Sequence, residues 1–343
     1  MTKPNVVVLG AGYSGLMAAL RAADQANVTL IAPAASFSER VRWHELAAGR
    51  PDVTHPLAAF TKNKRVEHVA ARATAIDPDR REVRTDDGQT HTYDRLVYAL
   101  GSRTRGVDTD DGRVFTTEKA SYLRKRLNDG PGELTVVGGG ETGIEIATEL
   151  ATQAPGWRVR MVTGSEIGPR LSGKSRDYVR STMAGMGIVL DEGRKVTPAD
   201  IDSDVVVWAA SMAPNTALAA TAGIKLNAGD RVDVDGALRS TSHPDIYAVG
   251  DSAGTLRMCC AAAIPAGYRA GGNVALDLRG EPVKPLRFRY YAVCMSLGRD
   301  NGLFQLLRAD DAPKQTIVTG RAGAYLKERI VRGTVASLRF VAR

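Results

Sequence analysis

The chain has 343 residues, enough for two or three domains, with ordinary apolar content and a net charge of +8. Three cysteines are too few for a disulfide-stapled fold, and no run of about 18 apolar residues is present to cross a bilayer. The basic runs Lys62-Asn63-Lys64-Arg65 and Arg124-Lys125-Arg126 come with no nucleic-acid-binding motif, so no nucleic acid is expected as a partner, and with no leader before the first apolar run a reducing cytoplasmic setting is expected.

The first element is an apolar run, Val6 to Leu9, leading into Gly10-x-Gly12-x-x-Gly15 and then an Ala/Leu-rich helical pattern through about Asp24. Gly10 permits the tight turn, Gly12 leaves room for a pyrophosphate against the backbone, and Gly15 lets helix and strand pack closely. The helix N-terminus presents amides and a positive dipole end to the phosphates. Val28–Ile31 reads as the next parallel strand, but it runs out into Ala32-Pro33-Ala34 where an acid that grips a ribose is expected.

Phe37–Gly49 is dense in Arg40, Arg42, Trp43 and His44, which either line a cofactor or substrate pocket or form a surface helix with exposed charge. Val66–Ile76 and Glu82–Thr85 read as strands of a meander, with Asp86-Asp87-Gly88 as a turn. Tyr93 to Ser102 is a strand ending at Gly101, followed by an exit loop.

At Glu133 the opening pattern recurs. Leu134–Val137 leads into Gly138-x-Gly140-x-x-Gly143, a helix over Ile144–Ala151 and a strand over Arg158–Thr163. Again no acid closes the strand, and no arginine stands at Thr163–Ser165, so NADH and NADPH both remain open. Val205–Ser211 mirrors the Val97–Ser102 strand end, and the two read as the connections by which the chain leaves and re-enters the first domain. Ile246–Val249 is an apolar strand ending in Gly250-Asp251. Ala261–Leu278 is helical in pattern, with Pro265 either breaking the helix or starting it. In the last stretch Arg287–Leu297 and Leu303–Leu307 read as strands. A terminal helix follows, with Leu326, Ile330, Val335 and Leu338 near one side, Lys327, Arg329 and Arg332 elsewhere, and Gly333 interrupting it. That helix docks on the protein core, on a partner subunit in a homodimer, or on a membrane surface as a peripheral contact.

Taken together, Gly10–Gly15, Tyr93–Ser102, Gly138–Glu145 and Ile246–Asp251 make the chain resemble the flavoproteins with two dinucleotide-binding domains. Within them it is similar to type II NADH dehydrogenases and apoptosis-inducing-factor-like oxidoreductases. The resemblance implies an α/β fold of two Rossmann-like, glutathione-reductase-like domains, the second inserted in the first. FAD would bind residues 1–108 and 236–284, NAD(P)H would bind 109–235, and 285–343 would form a small α+β C-terminal region. It implies flavin contacts at Gly10, Gly12, Gly15, Arg40, Gly101, Gly250, Asp251 and Ala261, with Asp251 on the ribityl chain. It implies nicotinamide-nucleotide contacts at Gly138, Gly140 and Gly143, and places Glu145 as a catalytic residue near the nicotinamide–flavin contact. Glu145 also reads as a helix N-terminal acid favoured by the dipole.

The implied activity is hydride transfer from NAD(P)H to FAD, then electron transfer to a quinone or another small-molecule acceptor, with no metal. Disulfide reductases of this superfamily carry a redox cysteine pair, and no CxxC or CxxxxC exists here. Cys259 and Cys260 read as packing residues near the flavin. Quinone-reducing members carry two glutamines where this chain has Ala261 and Pro265. Two rival readings remain open: a metabolite-oxidising flavoenzyme with a vestigial second domain, and a non-enzymatic redox sensor.

Overall fold

The computed structural model describes residues 3–51, 53–107 and 112–343. The boundary expected between residues 108 and 109 lies outside them. Two five-stranded sheets share one plan. The first runs Ile246–Ala248, Arg95–Tyr98, Asn5–Leu9, Asn27–Ile31, Val66–Val69, all parallel. The second runs Val114–Thr116, Val205–Trp208, Glu133–Val137, Arg158–Thr163, Val189–Glu192, again all parallel. The central strands are unbroken apolar runs because both sheet faces are covered, one by helices and the other by the meander and loop residues such as Ile76, Val83 and Ile201; Val6, Val8, Leu134 and Val136 are fully buried. Strands of the first sheet lie on both sides of the second in the chain, so the second unit is inserted in the first. Ser102–Thr104 pairs antiparallel with Met212–Pro214 at the crossing, joining the outgoing and returning segments.

In each sheet the strand order reverses beside the glycine-bearing strand. That reversal opens the crevice where doubly wound sheets bind ligands. Helix α1 (Tyr13–Ala22) follows the first glycine loop. Helix α2 (Trp43–Ala47) is a short turn lying under the second unit. Helix α3 (Glu141–Gln153) follows the second loop, and α4 (Gly173–Gly185) flanks the same sheet. Helix α5 (Cys260–Asp277) returns to pack on α1. Gly267 and Gly271 make that approach possible, since a Cβ on either would run into the backbone of Ser14 or Ala18. Helix α6 (Gly320–Val341) packs on an antiparallel sheet of Ala292–Ser296, Gly302–Leu307 and Pro313–Thr319.

Several expectations change. Val66–Ile76 is two strands: Val66–Val69 joins the first parallel sheet, and Ala73–Asp77 begins a meander with Glu82–Thr85 and Thr90–Thr92. The break falls at residues 70–72, where a run of apolar and polar residues hides a change of sheet. Pro265 neither breaks nor starts α5. It sits in the second turn, where the ring removes one hydrogen bond that packing on α1 outweighs. Gly333 does not interrupt α6, which is continuous across it. Lys327, placed on the polar side by its charge, lies on the buried face with Gly323, Val331, Val335 and Leu338, while Ile330 is exposed. No helix of the described residues is long and apolar enough to cross a membrane.

Candidate active site

The first glycine loop has the backbone its sequence demands. Gly10 adopts φ +97°, and a Cβ there would strike the Ala99 carbonyl. A Cβ on Gly15 would collide with the Gly10 carbonyl, whereas at Gly12 it would meet open space. Only one glycine of the three therefore faces an empty crevice, as pyrophosphate binding requires. The second loop repeats this. Gly138 has φ +120° and abuts Ala209, Gly143 abuts the Gly138 carbonyl, and Gly140 faces open space.

Helices α1 and α3 start at Gly12 and Gly140 without a side-chain cap, and so does α5 at Cys259. Helices α2 and α6 also lack a side-chain cap, and α4 alone of these six is capped, by Ser172, whose Oγ accepts from the Ser175 amide at 3.2 Å. What sets α1 and α3 apart is that they begin at the glycine that faces open space, so their first amides are presented to whatever anionic group fills the two crevices. The residues thus fit two dinucleotides.

Asp251 lies at the end of the Ile246–Ala248 strand, positioned by Gly250 at φ +70°, whose Cα approaches Ser14 too closely for a Cβ. One Asp251 carboxylate oxygen accepts from Ser102 Oγ at 2.6 Å, leaving the other available. Arg40 reaches the same place: Nη1 donates to the Ser102 carbonyl at 2.7 Å and Nη2 meets Glu118 at 3.1 Å. Gly101 turns the chain there at φ +66°. Arg40, Gly101, Ser102 and Asp251 are therefore brought together, while Ala261 is an exposed residue in the first turn of α5.

Glu145 is brought to a different centre, which joins all three parts of the chain. Its Oε1 lies 2.9 Å from Lys327 Nζ on α6 and accepts from the Ser296 amide at 3.0 Å. Lys327 Nζ also donates to Ser296 Oγ at 3.2 Å and to His44 Nε2 at 3.3 Å. Three ammonium protons meet three acceptors. Burial would push the Glu145 carboxyl up, but the Lys327 ammonium and the Ser296 amide hold it below its usual value. Burial would push Lys327 down, but Glu145 and Glu45 keep it raised and charged. Burial lowers His44 to about 4 despite Glu145, so the ring is neutral. Its Nε2 is then the acceptor and Nδ1–H faces Glu145 Oε2 at 3.9 Å.

Arg42 extends the cluster. Buried, it lies 3.2 Å from Glu39, 2.9 Å from Glu45 and 2.9 Å from Glu328. Phe37–Gly49 is thus not a surface helix with exposed charge: Arg42, His44 and Glu45 are buried, and Arg40 alone points to the Asp251 end. Sequence reasoning missed His44, Ser296 and Lys327 as a unit. The available signal was a lysine in register with Gly323, Val331 and Val335 on the terminal helix.

The cysteines are all free. Cys260 opens α5, and its thiol is pushed up to about 12 by burial and by the neighbouring Cys259 and Cys294. Burial pushes Cys294 up to about 11. Such thiols are poor nucleophiles. The convergence of Cys294 on the α5 N-terminus was not legible in the spacing.

Two uncapped glycine loops at the switch points of two doubly wound sheets define a protein with two dinucleotide sites. The chain belongs to the pyridine nucleotide-disulphide oxidoreductase family, whose model matches residues 4–267. It is 30% identical over 355 residues to an NADH dehydrogenase-like protein of Mycobacterium tuberculosis, covering 87% of each chain. It is 24% identical over 398 residues to the type II NADH:quinone oxidoreductase of Staphylococcus saprophyticus, covering 96% of this chain and 94% of that one. The structure of NDH2 from Plasmodium falciparum in complex with NADH shares the fold at a TM-score of 0.82 and 15% identity, over 99% of this chain and 97% of that one. The protein is an oxidoreductase, with FAD and NAD(P)H as the cofactors of its family fold.

Proposed function

We propose that the chain carries hydride from NAD(P)H to FAD and electrons onward to a quinone or another small-molecule acceptor. The observation that carries this reading is the pair of glycine loops with one geometry, the first overhung by the uncapped start of α5. In this reading residues 1–108 and 236–284 form the FAD unit, 109–235 the nicotinamide-nucleotide unit and 285–343 the C-terminal region. Gly10, Gly12 and Gly15 bring the α1 amides to the FAD pyrophosphate. Asp251, steadied by Ser102, accepts from the ribityl chain, with Arg40, Gly101, Gly250 and Ala261 around it. The α5 N-terminus stabilises negative charge at the flavin's pyrimidine edge. Gly138, Gly140 and Gly143 do for NAD(P)H what the first loop does for FAD. Bound there, the two cofactors supply the hydride and electron chemistry.

Glu145 serves in this reading as a positioning residue. Its carboxylate, kept ionised, fixes α3 of the nicotinamide unit to Ser296 and Lys327 of the C-terminal region and to His44 of the FAD unit. The three units that must present two cofactors face to face are thereby held in one geometry.

A quinone acceptor is supported by the type II NADH:quinone oxidoreductase relative. Helix α6 exposes Tyr325, Ile330 and Phe340 among Arg321, Arg329 and Arg339, which supports a peripheral contact with an anionic membrane surface facing the cytoplasm. Steady-state oxidation of NADH and of NADPH with a short-chain quinone tests the acceptor. Quinone-dependent turnover well above the rate with dioxygen alone is expected. Turnover with artificial dyes and none with quinone would remove the quinone and leave the NAD(P)H reaction.

A further inference from the structure

A dinucleotide's adenosine ribose is sorted where the second strand of its fold ends. An acid there suits the free 2′-hydroxyl, and a cation suits a 2′-phosphate. In the second unit that strand is Arg158–Thr163. Thr163 is buried, its side chain packed against the backbone of Gly139, so it is not available to the ribose. The chain goes on as Gly164-Ser165.

The carboxylates at this edge are already paired. Glu166 meets Arg176 at 3.4 Å and Arg180 at 3.3 Å. Asp191 meets Arg160 at 2.8 Å and Arg194 at 3.3 Å, and Glu192 meets Arg180 at 2.9 Å. Glu141, at the start of α3, meets Arg170 at 2.6 Å.

One cation differs. The turn Gly193-Arg194-Lys195 leaves the neighbouring strand Val189–Glu192, and the Arg194 amide ties it to the Thr163 carbonyl at 3.0 Å. The Lys195 stem then crosses Gly164, with its Cγ 3.1 Å from where Gly164 would carry a Cβ. Lys195 is exposed and, among the described residues, has no carboxylate partner. Among the described residues the ribose end of the site therefore offers an unpaired ammonium and no unpaired carboxylate. Gly164, the residue where a discriminating side chain is usually sought, serves instead to let the lysine through.

We propose that this site selects NADPH over NADH and that Lys195 is the residue that reads the 2′-phosphate. The inference rests on the reading of the Gly138 loop as the nicotinamide-nucleotide site. It assigns the selectivity to the strand beside the one where sequence inspection looks for it.

Calorimetric titration of the flavin-loaded full chain with 2′,5′-ADP and with 5′-ADP tests both. The expected result is 2′,5′-ADP binding at least about tenfold tighter, as one charge-assisted phosphate contact allows. The advantage shrinks as salt rises, because Lys195 is exposed. Lys195→Ala brings the two affinities to within about threefold, the residue of diffuse positive charge. Lys195→Arg retains the preference. Equal or tighter binding of 5′-ADP by the unaltered protein overturns the proposal while leaving the nucleotide site in place. Undiminished selectivity in Lys195→Ala overturns the role of Lys195. Binding of neither ligand overturns the reading of the Gly138 loop, and the proposal with it.

Discussion

The two glycine loops of this protein are near copies, and the surroundings make them different sites. At both, the first glycine takes a positive φ against the end of a central strand, the third abuts the carbonyl of the first, and the second faces space. The helix starts are alike too, with Gly12 at φ −74° and Gly140 at φ −76°. Beyond the loops the likeness stops. The first is overhung by α5 and meets the Asp251–Ser102–Arg40 group. The second has a charged rim, and its helix sends Glu145 into a buried ionic cluster. In the proposed reading local backbone chemistry makes a phosphate cradle, and long-range packing decides which dinucleotide it serves and what it faces.

The comparison breaks most sharply at the third glycines. Gly15→Ala drives a methyl into the Gly10 carbonyl and is expected to yield protein without flavin. Gly143→Ala is expected to keep its flavin and to lose NAD(P)H-driven reduction by about 100-fold or more, the cost of misplacing a reactant by an ångström. Flavin absorbance per protein and the rate of anaerobic reduction check the pair. Flavin loss from both variants would mean that the loops do not serve separate ligands.

The next effect belongs to the cluster that distinguishes the second site. Lys327→Met leaves the Glu145 carboxylate buried without its cation and is expected to cost about 3–5 kcal/mol in denaturant unfolding. A change under 1 kcal/mol would show that the cluster does not hold the three units together.

Somewhat smaller is the contribution of His44. Its pKa in the fold, about 4, lies below the value of about 6.5 for an unfolded histidine. Between those values the unfolded chain binds the extra proton, so stability falls as pH drops from about 6.5 to about 4. The loss attributable to His44 is on the order of 3 kcal/mol, complete below the lower value. His44→Gln is expected to flatten the stability profile in that window, measured by urea unfolding at successive pH values. An unchanged slope would contradict a neutral buried ring.

The smallest effect sharpens the first site. Ser102→Ala removes one hydrogen bond to Asp251 and is expected to cost about 1 kcal/mol of flavin affinity or stability. NAD(P)H binding should be untouched, as titration of both cofactors would show.

The two loops were legible in the sequence because each is local: strand, turn and helix follow one another within a dozen residues, and the first and third glycines answer a steric demand while the second leaves space open. The joining of the units was legible for a similar reason, since Val97–Ser102 and Val205–Ser211 repeat one strand-end pattern. The Glu145 cluster was not. Its members come from α2, α3, the Ala292–Ser296 strand and α6, and nothing in the spacing of His44, Glu145, Ser296 and Lys327 brings them together. Lys327 misled most, because a charge on an amphipathic helix is assigned to solvent unless a buried partner is known. The Val66–Ile76 segment misled for another reason: a chain that changes sheet within three residues keeps one polarity pattern on both sides of the break.

In the proposed reaction reducing equivalents move from a nicotinamide dinucleotide on the second loop to a flavin on the first. Anaerobic rapid mixing of the flavin-loaded protein with NADPH and with NADH, followed at the oxidised flavin band near ~450 nm, tests it directly. Fast bleaching is expected, with NADPH the more effective donor at low concentration. No bleaching by either nucleotide, with flavin bound, would contradict it and make the second unit a vestige in a flavoenzyme that draws its electrons from another substrate.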